Sequence, residues 1–275
     1  LARKEVFIFC FFLVYLFNKN KINKIIYKLT ILPIAVLIWE PVIFFFPFWI
    51  IIDYLEDDHK NFFKFIIQSL IYFIPSTLLA FYIAVNPISE IGHNLMVESL
   101  KNNFGENCYM SCGLLLSKSS IYDQFYGNFK LFSPEIFFRY FLIILFGFFP
   151  LILILKYSKL IKLKKKVLIS FVSFPIIILF AMMADWGRIV NIYYTFSILT
   201  FLYLRNKNLF VVKNSIKNNF FVKILDKKKI LITFFIIFSF GWNPKTTLVE
   251  DVASKPGYQI PKKAIQITYN KFIKN

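Results

Sequence analysis

An acid, an indole, a glycine and a base stand in a row at Asp185-Trp186-Gly187-Arg188. Apolar runs flank them, 167–184 on one side and 189–204 on the other. Each run approaches the roughly 20 residues a helix needs to cross hydrocarbon. A charge at the centre of a membrane helix costs roughly 2.5–3.5 kcal/mol on insertion scales, so charges this close to a bilayer core face protein or water and serve a site. Asp185 and Arg188 are three apart, which on a helical turn puts them on one face within pairing reach. Gly187 between them lets another backbone or a ligand approach closely. The chemistry this predicts is an Arg188 clamp on a phosphate or carboxylate, oriented by Asp185. The plain alternative is an interface loop whose charges snorkel to water. Arginine is scarce in the chain, at Arg3, Arg139, Arg188 and Arg205 only, and the other bases are lysines. A forked guanidinium kept in that background points to use of its geometry. Arg139, at the start of the apolar run 135–155, joins Trp186 and Gly187 as a candidate substrate contact.

Glu40 is the other candidate. It lies inside the apolar stretch 29–52, followed directly by Pro41. A lone carboxylate at that depth is costly and suits a group that moves protons. Its structural alternative is a pair with Arg139 or Lys64. Pro41 frees a carbonyl in the preceding turn, which a polar substrate could use. Cys108 and Cys112 sit too close together to form a zinc framework without two further ligands, and His59 and His93 are the only histidines. We therefore expect no metal. The two cysteines are either a disulfide in an extracytoplasmic loop or unpaired small residues. Cys10 falls in an apolar run and reads as core. No phosphate-binding loop, dinucleotide glycine pattern or nucleophile elbow occurs, so no cofactor is expected.

These residues need elements to hold them, and composition says which solvent those elements face. The chain has 275 residues, is 58% hydrophobic and contains 37 Phe. That exceeds the ~45–50% apolar content of a soluble domain, and a soluble fold of this size could not hide it. The partner is the lipid bilayer. The net charge of +18 does not signal nucleic acid, because the lysines cluster between apolar runs, as in cytoplasmic loops of membrane proteins. The expected fold is all-α: a polytopic helical membrane protein with about six to seven apolar segments and interfacial amphipathic helices. With no internal repeat and no Gly/Ser linker, we read 1–275 as a single transmembrane domain.

Charge orients the segments. The basic loops 18–28, 156–166 and 205–229 should be cytoplasmic. Two runs separate the last pair, which places Asp185–Arg188 on the outer side. Three runs separate 18–28 from 156–166, an odd number. Either 29–52 or 62–85 is re-entrant, or a crossing lies hidden in 86–134, or one basic loop breaks the rule. A kink is expected at Ile74-Pro75. Segment 86–134 should be an extracytoplasmic loop with an amphipathic helix at 86–104 and a second such stretch at 121–132. A short last span is expected at 230–242 and an extracytoplasmic tail at 243–275. The chain starts at Leu1, and the first apolar run, 6–17, is short for a span. We expect a fragment or an unusual start codon, with helices missing upstream. A signal peptide is rejected, because four lysines rather than a cleavage site follow that run.

Three features together resemble a known group. They are Arg3-Lys4-Glu5 before an apolar run, Trp39-Glu40 within a run ending in Phe-Pro, and Ala184-Asp185-Trp186-Gly187-Arg188 between two spans. They are similar to bacterial multi-span proteins of surface-polysaccharide loci, which are loosely like exopolysaccharide and O-antigen polymerases. In that group a His often precedes the mid-span acid, where this chain has Trp39. The resemblance covers residues 1–204 and implies an enzyme of the glycosyl-transfer or polymerase kind in the bacterial inner membrane. It implies a polyprenyl-diphosphate-linked glycan substrate at the outer face. Glu40, Asp185 and Arg188 carry over as catalytic positions. The rivals are a transporter or flippase for a lipid-linked or small anionic solute, and a non-catalytic membrane subunit.

Overall fold

Prolines decide where several helices stop. In the computed structural model, α1 (Glu5–Phe17) and α2 (Lys21–Ile38) are joined by a turn in which Asn20 caps α2, its side chain accepting from the Ile22 N–H at 2.9 Å. Tyr27 donates to the Phe11 carbonyl at 2.6 Å and ties the two helices together. Pro41 lacks an N–H and crowds the residue before it. α2 accordingly ends at Ile38, Trp39 is extended, and Glu40–Phe45 winds as a 3-10 turn leading into α3 (Phe46–Glu56). The apolar stretch 29–52 is thus two helices with a break at Glu40 rather than one.

The structure describes residues 4–57, 61–86, 88–107, 121–160, 163–183 and 185–212, with isolated positions at 223, 229, 232 and 233. Cys108, Cys112 and the tail 243–275 lie outside these residues, as does nearly all of the run 230–242.

The next apolar stretch shows the same effect more mildly. α4 (Phe62–Leu70) passes through a 3-10 turn at Ile71–Phe73 into α5 (Ile74–Val85). Pro75 cannot donate to the Ile71 carbonyl, and the Ile74 N–H takes that acceptor instead. The interruption falls where a kink was expected, at Ile74-Pro75. Beyond it, α6 (Glu90–Phe104) starts at Ser89, whose hydroxyl accepts from the Gly92 N–H at 3.1 Å. It stops at Gly105, whose φ of +63° is the left-handed form that lets a chain leave a helix. Ile91, Leu95 and Phe104 stand exposed along it.

The remaining helices are α7 (Ile121–Leu131), α8 (Pro134–Lys156), α9 (Lys165–Met182) and α10 (Trp186–Asn206). Ser133 and Pro134 open α8 as N-cap and first-turn proline, with the Ser133 hydroxyl 3.3 Å from the Ile136 N–H. Among the described residues the fold is all-α apart from one antiparallel ladder. In it β1 (Ser158–Leu160) pairs with β2 (Phe210–Val212), Ser158 opposite Val212. That ladder joins the two basic loops 156–166 and 205–229 at one end of the α9–α10 hairpin.

Among the described residues two stretches, Phe62–Val85 and Ile136–Lys156, are long and apolar enough to cross a membrane, with mean hydropathies of 1.7 and 2.4. Glu5–Phe17 and Lys166–Met182 are apolar but shorter. α10 has the length, but Asn191, Tyr193, Tyr194, Thr195 and Ser197 dilute it. The chain divides into two compact units, Leu1–Phe46 with Asn61–Tyr126 and Pro47–Lys60 with Gly127–Asn275. In the first, α2 packs along α5 and the 3-10 turn, with Phe46 against Phe73 at 4.9 Å between ring centroids. In the second, Phe196 of α10 is fully buried between Phe48 and Trp49 of α3, both at 5.3 Å.

Candidate functional site

The turn between α9 and α10 is held from outside itself. A helix ends with carbonyls that have no partner within it. Two of those at the end of α9 are met by side chains. Trp186 donates its indole N–H to the Phe180 carbonyl at 2.7 Å, and Asn128 of α7 donates to the Met182 carbonyl at 2.5 Å. The Trp186 ring is 6% exposed. It sits among Phe132, Phe137, Tyr140 and Phe180, with centroids 5.1–5.4 Å away. Aromatic pairs at such spacing contribute roughly 0.5–1.5 kcal/mol each beyond simple burial. The four residues of the turn therefore start from a fixed indole.

Asp185 occupies the N-cap position of α10, but its carboxylate does not cap the helix. Its carbonyl accepts from the Ile189 N–H at 3.1 Å, so helical winding begins at once. That winding brings Arg188 back over Asp185, with Nη1 donating to Oδ2 at 3.3 Å. The pair is the one the spacing of three predicts. The Arg188 side chain is 25% exposed and that of Asp185 30%. Both are half-sheltered and still reachable from outside. Gly187 between them is buried. The carboxylate also lies at the N-terminal end of α10. Chemically, the turn offers a guanidinium oriented by an acid, on a rigid base, able to hold an anionic oxygen.

The remaining candidates are placed separately. Arg139 falls on α8, just before the buried Tyr140 that packs on Trp186. Glu40 belongs to the other unit, where it is half-buried at the first position of the 3-10 turn. Its neighbour Trp39 is 2% exposed and packs on Phe45 at 5.8 Å. Glu40 forms no ion pair among the described residues.

The sequence marks Trp186 as a substrate contact and does not reveal the ring nest that encloses it. The Tyr/Phe-rich stretch 121–132 carried the signal, since Asn128 and Phe132 both come from it or its end. A polar cluster within the apolar helices was missed as well. The Ser173 and Tyr193 hydroxyls are 2.8 Å apart, and Ser197 donates to the Tyr193 carbonyl at 2.7 Å. Tyr193, Ser197 and Thr200 recur at intervals of four and three, the spacing of one helix face. Among the described residues no group of three or more His, Cys, Asp or Glu is placed to hold a metal ion.

No protein-family model matches this sequence, and no curated protein or solved structure is detectably similar to it.

Proposed function

We propose that this chain is a multi-pass inner-membrane enzyme of bacterial surface-glycan assembly, with six to seven apolar segments crossing or entering the bilayer. Its substrate is a polyprenyl-diphosphate-linked glycan at the outer face. The observation that carries this reading is the Asp185–Arg188 pair, braced by the buried Trp186 at a turn between two apolar helices. A loop that only connects helices needs no such bracing. The resemblance of the Trp39-Glu40 and Asp185-Trp186-Gly187-Arg188 motifs to polysaccharide polymerases supplies the substrate class.

In the proposed reaction an acceptor hydroxyl attacks the anomeric carbon and the bond to the diphosphate oxygen breaks. Negative charge develops on the leaving diphosphate, where Arg188 stabilises it. Asp185 aims the guanidinium, and Glu40 is carried over from the resemblance as the candidate proton acceptor. Trp186 and Gly187 act as positioning residues for the turn, and Arg139 is a further phosphate contact.

The test is Arg188→Lys at matched membrane levels, read as glycan display. Lysine keeps the charge and loses the fork. Loss of one charge-assisted hydrogen bond, ~1.5–3 kcal/mol, reduces output roughly ten- to a hundredfold. Wild-type output would reduce the turn to a connection.

A transporter or flippase is the second reading, and the helix breaks favour it. Glu40 stands at an interruption between α2 and α3, and the 3-10 turn at Ile71–Phe73 interrupts the next apolar stretch. Broken helices with exposed backbone groups are how many transporters hold solutes. Uptake of a lipid-linked or small anionic solute, unchanged in glycan-synthesis mutants, would select it.

A further inference from the structure

A second site lies at the opposite end of the α9–α10 hairpin. A cavity of about 290 Å³ is bounded by α3, α8, α9, α10 and the β1–β2 ladder. Phe148 and Tyr193 lie toward its inner end, and Leu160 and Phe210 of the ladder toward the other. Its walls are almost wholly apolar. Thr200 is the exception that matters. It is 7% exposed, it lines the cavity, and its hydroxyl has no hydrogen-bond partner among the described residues. Elsewhere on the same helix Thr195 and Ser197 satisfy their hydroxyls on the carbonyls of Asn191 and Tyr193, at 2.9 and 2.7 Å. Thr200 does not. A buried hydroxyl without a partner is costly, and the other hydroxyls on the wall, those of Ser173, Tyr193 and Ser197, already bond one another or a carbonyl. The expected occupant is therefore mostly hydrocarbon with one acceptor in reach of Thr200.

Charge identifies the rest of it. At the ladder end stand Lys156, Lys159, Lys164, Lys166, Arg205 and Lys207. The end of α3 brings Asp53, Glu56 and Asp57 to the same side, since Tyr203 donates to Glu56. Among the residues whose side chains are described, these bases outnumber the acids and leave that end positive. Thr200 precedes Arg205 by five residues, ~7.5 Å along a helix at 1.5 Å per residue. That separates a phosphate at the basic rim from an ester carbonyl at Thr200. The seven residues from Thr200 to Tyr193 leave a further ~10 Å for an acyl chain.

We propose that this cavity holds one acyl chain of an anionic glycerophospholipid, its ester carbonyl accepting from Thr200 and its phosphate held at the Lys/Arg-rich ladder end. The site is independent of the Asp185–Arg188 turn, which lies ~18 Å from Thr200 along α10. It belongs to a membrane protein of any function.

The test uses the full chain, purified in detergent, stripped of lipid and titrated with phosphatidylglycerol or phosphatidylcholine of identical chains under native mass spectrometry. Wild-type protein should retain one phosphatidylglycerol, preferred roughly fivefold or more over phosphatidylcholine, as one to two basic contacts would give. Val172→Phe, which fills the cavity from its wall, should abolish retention. Thr200→Val keeps the shape and removes the hydroxyl, and should weaken both lipids by roughly three- to tenfold. Lys159→Gln with Arg205→Gln should erase the preference and leave chain binding. No retained lipid in wild type, equal retention of the two lipids, or a Thr200→Val protein that binds like wild type would each overturn the proposal. The valine variant is close to isosteric, so that readout stands even where Val172→Phe fails to fold.

Discussion

The chain interrupts its apolar helices twice with a tryptophan beside an acid, and the two breaks are built differently. At Trp39-Glu40-Pro41 the backbone does the work. Proline ends one helix, a 3-10 turn starts the next, and the indole packs on one ring, that of Phe45. The acid there forms no ion pair among the described residues. At Asp185-Trp186-Gly187-Arg188 side chains do the work. The indole is enclosed by four rings and bonded to a carbonyl, and the acid is paired three residues on. A carboxylate paired to arginine can aim that arginine, whereas one without such a pair has nothing to aim. Under the proposed function, two breaks with similar letters take two different tasks, proton transfer at Glu40 and anion binding at Arg188.

The sharpest way to break this comparison is to remove each indole. Trp186→Ala deletes contacts to four rings and one hydrogen bond. Large buried aromatics replaced by alanine cost roughly 3–5 kcal/mol, against a total stability of about 5–15 kcal/mol for a typical domain. Most of the protein should fail to reach a folded state, read as loss of the monodisperse peak in detergent and a steep fall in melting temperature. Trp39→Ala, with one ring contact, should cost less. Equal losses would erase the distinction between a backbone-built and a side-chain-built break.

Glu40→Gln comes next. It keeps the shape and removes the ionisable group. Membrane insertion and abundance should change little, while glycan output falls by the ~10²–10⁴-fold typical of a lost general acid or base. Normal output would make Glu40 structural and leave the proton-transfer task with neither break. This variant is expected to hurt activity more than Arg188→Lys and stability far less than Trp186→Ala.

How much of this could be read from the sequence depends on the range of each interaction. The kink at Pro75, the break near Pro41 and the Asp185–Arg188 pair all follow from contacts within four residues. They were legible because proline and helical spacing act locally. The helix at 90–104 was legible for the same reason, through its apolar stripe. The nest around Trp186 was not, because Asn128, Phe132, Phe137 and Tyr140 reach it from more than 40 residues away. In a chain this rich in Phe, no single ring stands out as a partner. The pairing of Ser158 with Val212 was equally hidden, since three-residue strands in lysine-rich loops carry no alternation to detect. The count of spans suffered from a related problem. Hydropathy runs such as 29–52 do not show whether the helix inside is continuous, and a helix such as α10 can have the length of a span while its serines, threonines and tyrosines lower its hydropathy.

Asp185→Asn is the gentlest test and the one that separates aiming from chemistry. Asparagine keeps the size of the side chain and an oxygen that still accepts from Arg188, but it removes the charge. The pair is a quarter to a third exposed, and ion pairs at such exposure contribute ~0–1 kcal/mol. The lost attraction to the α10 N-terminus adds ~0.3–1 kcal/mol. The melting temperature should therefore fall by only a few degrees. If Asp185 only aims the guanidinium, a neutral acceptor at the same place preserves most of that aim. Glycan output at matched membrane levels should then fall a few-fold, less than in Arg188→Lys, because the fork that meets the anion is intact. A loss as deep as that of Glu40→Gln would mean that Asp185 exchanges a proton during the reaction. The two breaks would then share one task, and the contrast between a lone acid and a paired one would no longer divide the labour.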